Sequence, residues 1–220
     1  MRVLMIAPPG AGKGTQGERI ADHYGARHIS TGDLLREQVS RDSELGKKVK
    51  SFVSSGELVP DEVVLEIVRE AIEEASRTEK RGYVLDGIPR TIQQARDLYV
   101  LARDLDMTAN AALHLRVSDG EIIRRLLSRA AAQGRADDTE EVIRRRLEIY
   151  REVTEPILAW YAERQILVTV DGEGPTQHIT RKIFAAFDAM HLEKRTHISL
   201  QDPLEMSSLE TAFGAKAGAR

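Results

Sequence analysis

Residues 7 to 15 run Ala7-Pro8-Pro9-Gly10-Ala11-Gly12-Lys13-Gly14-Thr15, between the short apolar run Val3 to Ile6 and a helical pattern that opens near Lys13. Strand, glycine-rich turn and helix in that order make a phosphate cradle. Glycines let successive backbone N–H groups face one concavity, the helix start adds its partial positive charge, and a lysine reaches the outer phosphates. Gly10, Ala11, Gly12, Lys13, Gly14 and Thr15 are therefore read as the wall of a nucleoside triphosphate site, a ligand-free glycine turn being the plainer alternative.

Two positions depart from the general P-loop pattern, which wants Gly where Ala7 stands and Ser or Thr where Gly14 stands. Thr15 supplies a hydroxyl one position later. Alanine is comfortable only at negative φ, so the loop works if Ala7 ends the strand in the β region and is strained if it must be left-handed.

Outward from this loop, apolar β-branched runs recur at Tyr83–Leu85, Ala112–Val117 and Ile166–Val170, with a weak one around His28–Ile29. Helical patterns separate them. Alternation of this kind predicts an α/β fold: a P-loop-type, five-stranded parallel sheet with helices on both faces. Start signals mark the helices: Thr31 before Gly-Asp-Leu-Leu-Arg, Asp61 after Pro60, Ser118 with Glu121 as a capping box, Thr139 before an arginine-rich stretch, and Thr176 before the last. Pro156 should break or kink the arginine-rich helix. The final pattern fades near His191, and 193–220 reads as a largely disordered tail, with partner docking as a second possibility.

Composition narrows the function classes. A chain of 220 residues with 41% hydrophobic content buries one substantial core, so one domain over 1–192 is expected. A net charge of −3 argues against a general nucleic-acid binder. The absence of cysteine excludes thiolate zinc sites and disulfides. No apolar stretch approaches the ~18 residues of a membrane span, and the opening Met-Arg-Val-Leu run is too short for a signal peptide; a cytoplasmic protein is expected. None of the six histidines has metal-ligand or triad spacing.

After the third strand run comes Leu85-Asp86-Gly87-Ile88-Pro89-Arg90-Thr91. An aspartate ending a buried strand is costly without a positive partner. Magnesium held through water beside the P-loop would be one, which makes Asp86 the metal-side candidate; a strand-end turn cap is the other reading. Pro89 presents Arg90 from a rigid turn, which suits bidentate phosphate contact. Thr91 and Gln94 have capping-box spacing.

With these residues in view the chain resembles adenylate kinase, in the short-lid form found in many bacteria, over residues 1 to about 190. The Gly-Lys-Gly-Thr loop, Thr-Gly-Asp-Leu-Leu-Arg at 31–36, Gly-Glu-Leu-Val-Pro-Asp at 56–61, Asp-Gly-Ile-Pro-Arg-Thr at 86–91 and Gly-Arg-Ala-Asp-Asp-Thr at 134–139 occur in the family's order. The family usually has phenylalanine at Ile88 and glycine at Ala7.

The resemblance implies reversible phosphoryl transfer from Mg-ATP to AMP, giving two ADP, by a monomer without zinc, nucleic-acid or membrane partners. It also implies a small helical AMP-binding insertion at about 30–59 and a lid at about 129–138; the segment between Arg129 and Arg135 is too short for a β-subdomain, so the lid is a simple loop. By likeness, Thr31 and Arg36 hold the AMP side, the backbone of Glu57, Leu58 and Val59 lines its adenine pocket, Gly87 to Arg90 adjoin it, and Gln94 bonds the base edge. Gln94 as a plain helix cap stays open. UMP- and CMP-using relatives tend to carry alanine near Thr31 and asparagine near Thr91 and Gln94, so this chain favours AMP. Arg129 contacts the ATP phosphates, Arg125 and Gly174 lie against its adenine, and Arg135 and Arg146 reach both phosphate chains. Asp137 and Asp138 orient neighbouring arginines or act as an acidic helix start. Any lone arginine in these runs also reads as a solvated helix face. Two rivals remain: a kinase for another nucleoside monophosphate, and a nucleotide-binding module without transfer activity.

Overall fold

The computed structural model describes residues 1–41, 43–133 and 139–190. The tail 193–220, Arg135, Asp137, Asp138 and the helix fade at His191 lie outside the described residues, as does the second half of the expected lid, 134–138.

Five parallel strands, β1 (Arg2–Ile6), β2 (Arg27–Ser30), β3 (Tyr83–Asp86), β4 (Ala111–Arg116) and β5 (Leu167–Asp171), form one sheet in the order β2-β3-β1-β4-β5. Its two faces are read directly from alternation along each strand. Leu4, Ile6, Tyr83, Leu85 and Ala112 enter one apolar core, while Val3, Met5, Val84, Leu113 and Leu115 enter the other. β1 lies at the centre, which is why its run is wholly apolar; β2 is an edge strand with Arg27 exposed, which is why its pattern is weak.

Helices α1 (Lys13–Tyr24) and α9 (Thr176–Ala189) cover the second face, packing Ile20, Ile179, Ile183 and Phe187 beneath the strands. The first face receives α4 (Asp61–Ser76), α5 (Ile92–Asp104) and α8 (Ile157–Glu163), together with α2 (Thr31–Ser40) and α3 (Glu44–Ser55). α6 (Asp119–Gln133) and α7 (Glu140–Ile149) meet through a small cluster of their own, Ile122, Leu126, Ile143 and Leu147. Among the described residues, no helix is long and apolar enough to cross a membrane.

Two start signals resolve differently from the sequence expectation, and one expected break takes an unforeseen form. Ser30, not Thr31, caps α2 by accepting the Asp33 N–H, and Thr31 is the first helical residue. Ser118 and Glu121 do not form a reciprocal box: Ser118 N–H donates to Glu173 across 55 positions of sequence, while Glu121 pairs with Arg124 and Arg125. Pro156 does end the arginine-rich helix, but through a π-helical turn over Tyr150–Thr154, closed by Glu155 N–H on the Tyr150 carbonyl at 2.8 Å. A proline ring clashes with the carbonyl four residues back, and the wider turn relieves that crowding.

The α2–α3 pair is held at a close approach. A Cβ at Gly46 would stand 2.1 Å from the Gln38 carbonyl oxygen and 2.9 Å from Val39 Cα. Both are backbone atoms that cannot step aside alone. Gly46→Ala is expected to destabilise this pair by about 1–3 kcal/mol, read as faster amide hydrogen exchange in α2 and α3. Exchange there equal to that of the parent protein would contradict the packing.

Candidate active site

Strand register decides what the loops share. Met5 and Ser30 both lie in register with Asp86, so the P-loop that follows β1, the start of α2 and the Asp86 carboxylate stand in one rank at the carboxyl edge of the sheet. Strand order turns about β1, and ligand crevices in open α/β sheets form at that kind of point.

Gly10 and Gly12 take φ of 79° and 93°, a region closed to most side chains, and Gly12 is the N-cap of α1 with no side chain capping the helix. The backbone N–H groups of that helix start are thus left for an anion. Ala7 is not among the positive-φ residues; it follows the strand directly and packs in the second core, so its departure from glycine carries no strain. The Lys13 ammonium folds over the loop and donates to the Ala7 carbonyl at 2.8 Å and the Pro8 carbonyl at 3.1 Å.

Around this loop opens a cleft of about 580 Å³ whose walls bring together Lys13, Arg36, Arg90, Arg125, Arg129 and Arg146. They come from α1, α2, the β3–α5 loop, α6 and α7. Burial pushes the Lys13 pKa below the ordinary lysine value; Asp86 opposes this, and Arg90, Arg129 and Arg146 reinforce it. Arg90 is lowered in the same way, by burial first, against Asp86 and with Arg146 and Arg36. The cations thus feel one another through the cleft. Of the acids on the same walls, Asp33 pairs with Arg36 and Glu57 with Arg145. Desolvated positive charge in such excess is a receptor for polyanions.

Arg90 is aimed by its own backbone: Nε donates to the Gly87 carbonyl at 2.8 Å. The remaining guanidinium N–H groups form the fork that phosphate oxygens match. Thr31 donates its hydroxyl to the Asp86 carbonyl at 3.1 Å, which ties the insertion to the end of β3.

The arginine runs divide as helix geometry requires. Arg125, Arg129 and Arg146 line the cleft, whereas Arg124 and Arg144 lie on the solvent side, paired with Glu121 and Glu140. Arg125 is held from three directions, donating to Glu121, to the Ala11 carbonyl at 3.4 Å and to the Gly172 carbonyl at 3.0 Å. Together Arg124 and Arg125 hold the Glu121 carboxyl down at about 2. Arg145 crosses from α7 to Glu57, and a Cβ at Gly56 would press on Val142 and Arg146. The insertion therefore rests directly on α7.

Thr31, Arg36, Glu57, Leu58, Val59, Gly87, Pro89, Arg90 and Gln94 all line the cleft, with Gly10, Gly12, Gly14 and Thr15 opposite. Ala11, Ile88 and Gly174 do not. Ile88 is fully buried in the first core, Ala11 belongs to the second, and Gly174 sits beyond β5. Unanticipated wall residues are Leu35, Phe52, Val53, Val64, Tyr150 and Thr154. Tyr150 and Thr154 owe their direction to the π-helical turn, which no sequence period announces.

Asp86 is a carboxylate only 9% exposed on the cleft wall, beside Lys13 and with Thr15 on the same walls. Among the described residues, no cluster of three or more His, Asp or Glu could by itself hold a metal. One carboxylate and a hydroxyl beside a phosphate cradle fit an ion that magnesium chemistry describes, bound mostly through waters and substrate phosphates.

A phosphate cradle at the start of α1, faced by cations from four other segments, defines a P-loop phosphotransferase. Residues 5–166 match the family model for adenylate kinase. Adenylate kinase 1 of Nostoc sp. is 45% identical over 184 residues, 84% of this chain and 97% of that protein. The adenylate kinase of Synechococcus sp. is 44% identical over 187 residues, 85% and 98% of the two chains. That of Thermus thermophilus is 42% identical over 184 residues, 84% and 95%. The chain belongs to the adenylate kinase family, a family of enzymes that transfer a phosphoryl group reversibly between ATP and AMP; neither rival reading is favoured.

Proposed function

We propose that this chain converts Mg-ATP and AMP into two ADP in the single cleft described, with the residues of the site divided between two nucleotides. The observation that carries the reading is the convergence of Lys13, Arg36, Arg90, Arg129 and Arg146 on one desolvated space. Two polyanions do not approach one another unaided, and spreading charge on a moving phosphoryl group needs donors already in place.

In this division the P-loop backbone from Gly10 to Thr15 and Lys13 cradle the ATP phosphates. Arg125 offers a guanidinium face to the ATP base, with Gly174 nearby. Thr31, Arg36, Gly87, Pro89, Arg90, the 57–59 backbone and Gln94 receive AMP, with Ile88 packed behind them in the core. Arg90, Arg129 and Arg146 face the gap, and Arg135 keeps the phosphate-contact role that the resemblance gives it. An AMP phosphate oxygen attacks the γ-phosphorus, the bond from that phosphorus to the β–γ bridging oxygen breaks, and the charge moves to the departing ADP. No covalent enzyme intermediate is needed. Magnesium, held beside Asp86 and Thr15, would neutralise phosphate charge. As the family resemblance suggests, the protein works as a cytoplasmic monomer without nucleic-acid or membrane partners.

ADP formation from ATP and magnesium is measured with and without AMP. Formation that depends on AMP supports the proposal; nucleotide binding without it supports an inactive module. Gln94→Ala is expected to relax the choice of base by about tenfold or more, because an amide built into a buried site otherwise rejects a base that leaves it unpaired. A panel of nucleoside monophosphates as acceptors reads this out. Unchanged AMP selectivity would leave Gln94 as a helix cap only.

A further inference from the structure

Gln94 is 2% exposed, and both ends of its amide are already engaged. Oε1 accepts the Arg90 backbone N–H at 2.7 Å, and Nε2 donates to Asp61 Oδ1 at 2.6 Å. Thr91 completes the group: its hydroxyl oxygen accepts the Gln94 N–H at 3.0 Å, and its proton is offered to Asp61 Oδ2 at 3.4 Å. A backbone N–H can only donate and a carboxylate can only accept. Turning the amide over would set donor against donor at Arg90 and acceptor against acceptor at Asp61.

We propose that Asp61 is a positioning residue that determines base specificity, by locking the Gln94 amide in one orientation. In that orientation the amide has one N–H on Nε2 and one lone pair on Oε1 left to offer. The complementary ligand edge is a ring nitrogen that accepts beside an exocyclic amine that donates, as in a 6-aminopurine. A 6-oxopurine presents the reverse, a carbonyl acceptor beside a ring N–H, and would need the amide turned over. The lock thus excludes the second purine class by making the required rotamer costly rather than by shape. Asp61 begins α4 and Gln94 lies in the first turn of α5, so the packing of these two helices sets the lock. The inference rests on the proposed contact between Gln94 and the AMP base.

The test uses the full chain and steady-state kinetics with AMP and with IMP as acceptors, for the parent, Asp61→Asn, Asp61→Glu and Gln94→Ala. Asn is isosteric with Asp but can donate or accept, so it no longer opposes the turned amide. Asp61→Asn is expected to raise KM for AMP about tenfold and to narrow the AMP-over-IMP ratio of kcat/KM by about tenfold or more, the scale of one mispaired buried group. The change should fall on KM for the monophosphate rather than on kcat or on KM for ATP. Asp61→Glu keeps an acceptor-only group and should retain the ratio; it also serves as the test if the Asn variant does not fold. A ratio unchanged in Asp61→Asn while Gln94→Ala relaxes it overturns the lock and leaves the Gln94 contact standing. A ratio unchanged in Gln94→Ala overturns both. Equal losses in kcat, both KM values and stability would reduce Asp61 to a structural role.

Discussion

Lys13→Met lowers the turnover of AMP-dependent ADP formation by about two orders of magnitude or more, the scale of losing one charge-stabilising donor aimed at a reacting group. The ammonium is folded over the P-loop, so it is delivered with the cradle and needs no separate ordering. Burial and the neighbouring arginines weaken its hold on its own proton, and an arriving triphosphate reverses that penalty. Methionine keeps length and apolar volume while removing charge, so a lost rate reports on the charge. Thermal unfolding measured beside the assay separates this from damage to the fold. The two Lys13 bonds to loop carbonyls are absent from the variant, so a small fall in Tm accompanies the kinetic loss.

Arg90→Ala is expected to have an effect of similar size, about a hundredfold or more in kcat. Its side chain is anchored through Nε to the Gly87 carbonyl, on a loop fixed by a buried Ile88 and by Pro89. Such anchoring leaves the guanidinium preorganised, so its worth is realised in the transition state. Arg90→Lys should recover little, because an ammonium cannot supply the planar fork. Turnover near the parent's in both Lys13→Met and Arg90→Ala would remove the charge-alignment mechanism altogether.

What could be read in advance followed from local chemistry. The P-loop with Lys13, four of the strands and Arg90 each declare themselves within a few residues of sequence, whereas the roles of Arg36, Arg129 and Arg146 came only with the family resemblance. Strand β2 was faint because an edge strand needs no continuous apolar run, and α3 went unread between the insertion motifs. Spacing misled at Ser118, where the backbone N–H is taken by Glu173 from the loop after the neighbouring strand β5. The capping reading of Gln94 was correct for its backbone, since the Thr91 hydroxyl accepts its N–H, yet the amide does something the spacing could not reveal. Its partner Asp61 is 33 positions away, and only the meeting of α4 and α5 brings them together. Likewise, a run such as Arg144-Arg145-Arg146 gives no sign which guanidinium turns inward until α7 has a neighbour.

That neighbour is the insertion, clasped to α7 by the pair Arg145–Glu57, half open to water at 45% and 41% side-chain exposure. Ions in solution compete for such a clasp, and the screening distance shrinks from about 10 Å at 0.1 M salt to about 3 Å at 1 M. Ionic strength therefore acts as an adjustable loosening of this segment from α7, while the apolar sheet beneath stays indifferent to it.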